Sequence, residues 1–339
     1  MEYLTNFSMI IGGLILLVIG GELIVKGAVG IALNFNISTV IIGLTIVSIG
    51  TSAPEIMVSI NAALTNHPDI AIGNIVGSNI SNILLVLGTS ALFYPIIIDK
   101  KLITRDLPFL IILTFLIILL CWTGKILSIF EGVILITCLI SYILYTIKYS
   151  TPKTIMSQSE HEDYDKDLKD IEKEIHEIEE EIKEEELVKM KNSKAVIFIA
   201  LSLLCLGTGA EILVDGAANL ARFFGIKESI IGLTIVAIGS SAPELATCVV
   251  AAYRKHADIV AGNIIGSNLF NIMAGLSIAS IITPVEVSDE FVYYDNWIML
   301  IATCIFSLIV FYKHKVTRIA GLWFVILYVT YIISKFLNI

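Results

Sequence analysis

Apolar residues run almost unbroken for about 20 positions at a time along this chain, and the polar positions gather between those runs. A run of that length spans the ~30 Å hydrocarbon layer of a bilayer at 1.5 Å per helical residue, so each predicts a transmembrane helix. Ten spans are predicted, over residues 8–32, 37–65, 70–95, 106–123, 127–147, 195–221, 226–252, 258–283, 293–312 and 318–336. The predicted fold class is therefore an all-α polytopic membrane protein. Only Glu2 is charged ahead of the first run, which lacks the basic leader of a signal peptide and is expected to stay as a helix.

The apolar pattern repeats. Shifting the chain by 189 residues lays 20–83 over 209–272 without a gap, with 34 identities in 64 positions. "IIGLTIVSIGTSAPE" falls over "IIGLTIVAIGSSAPE", and "HPDIAIGNIVGSNISNI" over "HADIVAGNIIGSNLFNI". The chain divides into a first half (1–148), an intervening segment (149–194) and a second half (195–339). Each half holds five predicted spans, an odd number, so the second enters the membrane from the opposite side and the repeats are inverted. Inverted repeats with interrupted helices mark secondary transporters, whose site lies near mid-membrane where the halves meet.

Composition agrees and adds one feature. The chain is 56% hydrophobic and 16% charged, with mean hydropathy +0.88, against about 25% charged residues in a soluble domain. The formal charge of −9 is local: residues 160–194 hold 15 Asp/Glu and 7 Lys/Arg, a balance of −8. The remainder is nearly neutral, which excludes a nucleic-acid footprint and leaves the lipid bilayer as the extended partner; no feature specifies an oligomeric state. Within the acidic segment Leu168, Ile171, Ile175, Ile178 and Ile182 follow a helical spacing and predict an amphipathic helix. Lys100, Lys101, Arg105, Arg254, Lys255, Lys313, Lys315 and Arg318 crowd the loops of one face, against Lys125, Arg222 and Lys227 on the other. This places both termini outside the cell membrane and the acidic loop in the cytoplasm. The five cysteines are scattered along apolar runs and indicate neither a disulfide framework nor a thiolate metal site.

Candidate chemistry lies in the spans themselves. Glu55 and Glu244 close the two SAPE motifs, in segments where an isolated carboxylate costs at least ~2.5–3.5 kcal/mol. The repeat relates them, so a pseudo-twofold axis in the membrane brings them together, and two close acids repel until cations or protons neutralise them. Pro54 and Pro243 each remove a helical donor and clash with the preceding turn, which predicts breaks and freed carbonyls around Ser48–Thr51 and Ala237–Ser240. The hydroxyls of Thr51, Ser52, Ser240 and Ser241 complete an all-oxygen set. The following spans add Ser78, Asn79, Asn82, Ser267, Asn268 and Asn271, of which the amides can also serve as interhelical glue. Hard cations such as Ca²⁺ seek six to eight oxygens, whereas zinc and copper favour His and Cys, which the set lacks.

At these residues the chain resembles the cation/calcium exchanger superfamily, and within it the prokaryotic sodium/calcium exchangers, whose two alpha repeats carry G-[TS]-S-x-P-E and G-N-x-x-G-S-N-x-x-[ND]. The likeness covers both halves and leaves out 149–194. It implies ten helices, with spans one and six sliding against the other eight to give alternating access, and antiport of Na⁺ against Ca²⁺ as transported substrates without any cofactor. By motif position it implies a Ca²⁺ site at the carboxylates of Glu55 and Glu244 and the carbonyls of Thr51 and Ser240. Flanking Na⁺ sites would draw on Ser52, Ser78, Ser241 and Ser267 and on the carbonyls of Ser48 and Ala237, with Asn82 and Asn271 closing the centre. Several members have Asp where this chain has Asn271, and potassium-dependent relatives link that acid to potassium use, so potassium dependence is not expected. A proton-coupled cation exchanger is the alternative, since paired carboxylates can share protons. An enzyme is not expected: an intramembrane acid protease would leave the other duplicated oxygen groups without a role.

Overall fold

The computed structural model describes residues 2–35, 37–65, 67–148, 190–225 and 237–337. The amphipathic helix expected at 168–182, the charge-rich bulk of the acidic loop and the start of the seventh predicted span lie outside the described residues. Helix α1 (Glu2–Phe35) is followed by the bent pair α2 (Thr39–Thr51) and α3 (Ala53–Leu64), then α4 (Ile70–Phe93), α5 (Leu102–Gly124) and α6 (Ile129–Thr146). The second half supplies α7 (Asn192–Phe223), the short α8 (Ala237–Ser240), α9 (Ala242–Tyr253), α10 (Ala257–Ile282), α11 (Phe291–Lys313) and α12 (Arg318–Lys335). Eight of these helices are each long and apolar enough to cross a membrane, and the α2–α3 pair, bent by 42°, makes a ninth.

Contacts between chain ends fix the parity of the crossings. Asn34, at the end of α1, donates to the Met190 carbonyl and to Asn192 Oδ1, both at 2.6 Å, so both lie on one face of the membrane. An even number of crossings must separate them, which requires α2–α3 to cross once beside α4, α5 and α6. Two small antiparallel strand pairs repeat the test. Strand β1 (Ile96–Ile97) pairs with β4 (Lys315–Val316), and β2 (Ile126–Leu127) with β3 (Val285–Glu286). Each pair requires an odd number of crossings between Phe223 and Ala257, where α9 is the longest described helix. Both parities fit ten crossings. The two strand pairs are also images of one another under the 189-residue shift, as are the left-handed residues Lys125 (φ 51°) and His314 (φ 52°) that end α5 and α11. The Asp289 hydrogen bond holds the Lys125 ammonium above its ordinary range.

The core sits in α4 and α10. Of their apolar windows 72% and 89% is buried, against 17–39% for α1, α5, α6, α7, α11 and α12, so these two helices form the centre and the others face outward. Lipid is as apolar as leucine and gives no hydrophobic drive between helices, so close packing and polar contacts must hold them. At α10 small residues make that approach possible: a Cβ on Gly262 would stand 2.5 Å from the Val40 carbonyl oxygen, and one on Gly266 2.5 Å from that of Leu44. Helices α1 and α7 lie antiparallel along each other, with Gly13 against Gly209 and Leu213, and Gly27 against Ala195 and Ile199. Glu22 and Lys26, one turn apart on α1, pair at 3.6 Å, but Arg254 holds Glu22 more tightly, with a shortest contact of 2.9 Å.

Sequence periodicity does not announce two further features. Single π-helical turns interrupt the spans at Asn82–Val86 and Leu102–Asp106, and their repeat mates at Asn271–Leu276 and Phe291–Asp295. Each half also buries an Asp–Tyr pair. Tyr142 donates to Asp106 at 2.8 Å, beside Arg105, and Tyr331 donates to Asp295 at 3.0 Å, beside Lys335.

Candidate ion site at the crossing of the two repeats

The two breaks are narrower than the prolines alone suggest. Among the described residues the helices are interrupted at Ser52 (φ −82°, ψ 0°) and its mate Ser241 (φ −89°, ψ 9°), each just ahead of a helix whose second residue is proline. Proline at that position is well tolerated because its missing N–H would be unpaired anyway. The Ser48 carbonyl, expected to lose its partner, still accepts from the Ser52 N–H at 2.9 Å, and the Ser52 carbonyl from Ile56 at 3.1 Å. The unwinding expected over four residues is thus concentrated in one, and the donor missing at Pro54 falls on the Gly50 carbonyl.

Each carboxylate stands in the first turn after a break, Glu55 on α3 and Glu244 on α9, and each is wholly buried. The N-terminal end of a helix favours negative charge, which offsets part of the cost of burial. The helices cross between halves. Helix α3 packs against the turn that begins at Asn271, and α9 against the turn that begins at Asn82. Residues Ser48–Thr51 pack on α10, and α8 packs on the helical turns that carry Ser78. The turns that carry the two acids meet, since Ser52, three residues ahead of Glu55, reaches the Glu244 carboxylate.

Direct hydrogen bonds join the halves unequally. Ser52 donates to Glu244 Oε1 at 3.2 Å, and Thr51 donates to Asn263 Oδ1 at 3.1 Å. Asn74 donates to the Glu55 main-chain carbonyl at 2.7 Å and to Ser59 Oγ at 3.0 Å, while its mate Asn263 donates to Cys248 Sγ at 3.1 Å. Asn74 and Asn263 brace the broken helices and were not among the residues singled out from sequence, although both stand in the repeated "GN" dipeptide. Asn79 reaches the Asn268 carbonyl at 3.4 Å and so ties two helices together, whereas Asn268 bonds back to the Ile264 carbonyl of its own helix at 2.8 Å.

Among the buried polar atoms without protein partners are both carboxylate oxygens of Glu55, Oε2 of Glu244, the hydroxyls of Ser78, Ser241 and Ser267, the side-chain amides of Asn82 and Asn271, and the amide oxygens of Asn79 and Asn268. Ser78 with Asn82, and Ser267 with Asn271, are four residues apart and share a helix face. Buried polar groups in native structures are satisfied almost without exception. These atoms come from both repeats, on helical turns that pack against one another, and a charged guest could satisfy them. The other expected members fit less directly. The Ser48 hydroxyl bonds back to the Leu44 carbonyl at 2.7 Å, leaving its main-chain oxygen as the available group. Ser240 is half-buried and already engaged, and Ala237 opens α8 beside residues outside the description.

Comparison with known proteins bears on what this shell holds. A family model described as sodium/calcium exchanger protein matches residues 5–148 and 194–337. The candidate antiporter CaxA of Alkalimonas amylolytica is 36% identical over 310 residues, 91% of this chain and 90% of that one. The sodium/calcium exchanger MaX1 of Methanosarcina acetivorans is 30% identical over 353 residues, 98% of each chain. Among solved structures, the sodium-calcium exchanger NCX_Mj soaked with zero Na⁺ and Ca²⁺ is similar with a TM-score of 0.79 at 30% identity, covering 98% of this chain and 99% of that one.

Proposed function

The chain belongs to the sodium/calcium exchanger protein family, and from that premise we propose that it moves Ca²⁺ across the membrane in exchange for Na⁺ at the Glu55–Glu244 centre. One observation carries the reading: the two carboxylates and the orphan oxygens around them come from both repeats and meet inside the bilayer. Two carboxylates neutralise one Ca²⁺, with the Thr51 and Ser240 carbonyls adding neutral oxygens. Na⁺ takes the flanking positions, at the hydroxyls of Ser52, Ser78, Ser241 and Ser267 and the carbonyls of Ser48 and Ala237. Asn82 and Asn271 close the centre with neutral amides. Because both ions draw on the same two negative charges, occupancy by one disfavours the other, and that competition is the chemical basis of exchange. No bond is made or broken, so the protein is a transporter and not an enzyme.

Alternating access falls to the α1–α7 pair, which interlocks through its own glycines and meets the other helices at close glycine contacts such as Gly21 on Ala246 and Gly50 on Leu203. Sliding of this pair opens the site to one face at a time. The basic loops place both termini outside and the 149–194 loop in the cytoplasm.

The deciding experiment is ⁴⁵Ca²⁺ uptake into proteoliposomes driven by an outward Na⁺ gradient, repeated with K⁺ and at several pH values. Uptake that needs the Na⁺ gradient and ignores K⁺ supports the reading. Uptake driven by a pH gradient alone would make the protein a proton-coupled exchanger instead.

A further inference from the structure

A groove of about 300 Å³ opens between the start of α5 and the end of α11, lined among others by Pro108, Ile111, Cys304, Ser307, Leu308 and Phe311. Leu308 and Phe311 are 56% and 65% exposed, so the groove faces outward, where hydrocarbon surrounds the protein. The inverted repeat places an equivalent site at the other end of the same two helices, and the shift of 189 residues names its side chains. Trp297 stands there for Pro108, Phe115 for Cys304 and Ile118 for Ser307. Larger side chains thus occupy these three equivalent positions.

The mouth of the groove is also distinct in charge. The β1–β4 pairing sets Ile97 opposite Lys315, and the Ile98 N–H donates to the His314 carbonyl at 2.9 Å, so the loops 94–101 and 313–318 lie side by side. Between them they hold Lys100, Lys101, Lys313, Lys315 and Arg318 against Asp99, which is five positive charges less one, or +4. The mate loops, 283–290 and 124–129, hold Lys125 against Glu286, Asp289 and Glu290, which is one less three, or −2. Lys100 and Lys101 are replaced there by Asp289 and Glu290, a reversal of sign at the same position in the fold. Membrane topology asks only for basic residues in the loops of one face. It does not ask for an apolar groove directly beneath them.

We propose that the groove and its basic rim bind an anionic phospholipid, with an acyl chain along Pro108, Ile111 and Leu308 and the headgroup phosphate on the lysines above. A basic pocket between membrane helices on the positive face has the chemistry that recognises such headgroups. Charge complementarity favours this occupant over a zwitterionic lipid. The acyl chain requires the space that Pro108, Cys304 and Ser307 leave open. The proposal is independent of which ions the central site carries.

Native mass spectrometry of the full-length protein in detergent, titrated with phosphatidylglycerol or phosphatidylcholine, tests it. The wild-type chain is expected to retain phosphatidylglycerol in preference to phosphatidylcholine. Each of Lys100→Gln, Lys101→Gln and Lys313→Gln should weaken that retention about five-fold, the order expected for one basic residue at an anionic surface. The Cys304→Phe/Ser307→Ile variant, which copies the mate positions, should lose it with the lysines intact, and glycerol 3-phosphate should fail to compete. These lysines are exposed, so their variants decide the matter if the double variant does not fold. Equal retention by wild type and the lysine variants, or equal retention of both lipids, overturns the proposal. Cross-linking of Cys304 between two copies with lipid retention unchanged would assign the groove to a second copy and overturn it as well.

Discussion

Replacing Gly266 by Ala tests whether the close approach of α2 to α10 holds the ion site in shape. A Cβ at this position would stand 2.5 Å from the Leu44 carbonyl oxygen and from Ser48 Oγ, and 2.8 Å from Ser48 Cβ. Carbon–oxygen contacts settle near ~3.3 Å, so α2 must retreat by roughly 0.8 Å. Rotation cannot relieve the clash, because the Leu44 oxygen is main chain and the Ser48 hydroxyl is tied to it at 2.7 Å. Ser48 lies one turn ahead of Ser52, whose hydroxyl reaches Glu244 at 3.2 Å. A retreat of that size stretches this bond to about 4 Å, beyond hydrogen-bond range. Overpacking of this kind costs ~1–3 kcal/mol, and each ~1.4 kcal/mol charged against the competent conformation is a factor of ten. Gly266→Ala is therefore expected to lower Na⁺-driven ⁴⁵Ca²⁺ uptake in proteoliposomes by about ten-fold or more. Gly12→Ala on α1, where no atom stands within 4 Å of the new Cβ, is the control and should keep its flux and its thermal midpoint. A monodisperse Gly266→Ala protein with wild-type uptake would refute the reasoning.

Glu55→Gln and Glu244→Gln should each abolish ⁴⁵Ca²⁺ uptake while elution and thermal midpoint stay near wild type, since each removes half the neutralising charge; substantial exchange in either variant would displace the proposed centre. Asp106→Asn and Asp295→Asn should instead lower the thermal midpoint in detergent, at a cost of about 2–3 kcal/mol, somewhat under the ~3–5 of a fully buried broken pair, because Arg105 and Lys335 remain 25% and 20% exposed; an unchanged midpoint would mean that these pairs do not hold the helices together. Replacing residues 155–190 with a short Gly/Ser linker should leave Na⁺-driven flux in place, and its complete loss from a well-folded protein would bring the loop into the transport cycle.

Much of the fold could be read from the sequence because the repeat aligns without a gap, so one shift relates strands, turns and side chains alike. The SAPE motifs announced both the breaks and the two acids, since a proline and a carboxylate in the middle of an apolar run have few bland explanations. The π-helical turns were not visible, because one extra residue within a turn hardly disturbs the spacing of apolar positions in helices that are apolar all round. Asp106 and Asp295 were passed over for a related reason: each falls at the edge of a predicted span, where an acid looks interfacial. Their tyrosine partners are 36 residues further on, too far apart for any local pattern. The signal that could have found them is the repeat itself, since both Asp106/Asp295 and Tyr142/Tyr331 obey the 189-residue shift beyond the stretch of high identity.

The repeat predicts pairs of equivalent groups, yet the site uses them unequally. Glu244 accepts a hydrogen bond from Ser52, while Glu55 accepts none and Ser241, the mate of Ser52, donates none. Asn74 donates to Ser59 where its mate Asn263 donates to Cys248, a difference that follows from the Ser59/Cys248 exchange. Sequence identity between the halves could not reveal the difference between Ser52 and Ser241, because it belongs to one conformation and not to the motif. An asymmetry of this kind is what the proposed alternating access requires. Two halves in identical conformations would expose a central site equally to both faces, and ions would leak down their gradients. When the halves hold inequivalent conformations, the site faces one side, and exchanging those conformations between the halves turns it to the other. In the proposed cycle, the unequal bonds at Glu55 and Glu244 would put that difference at the two charges that the exchanged ions would neutralise.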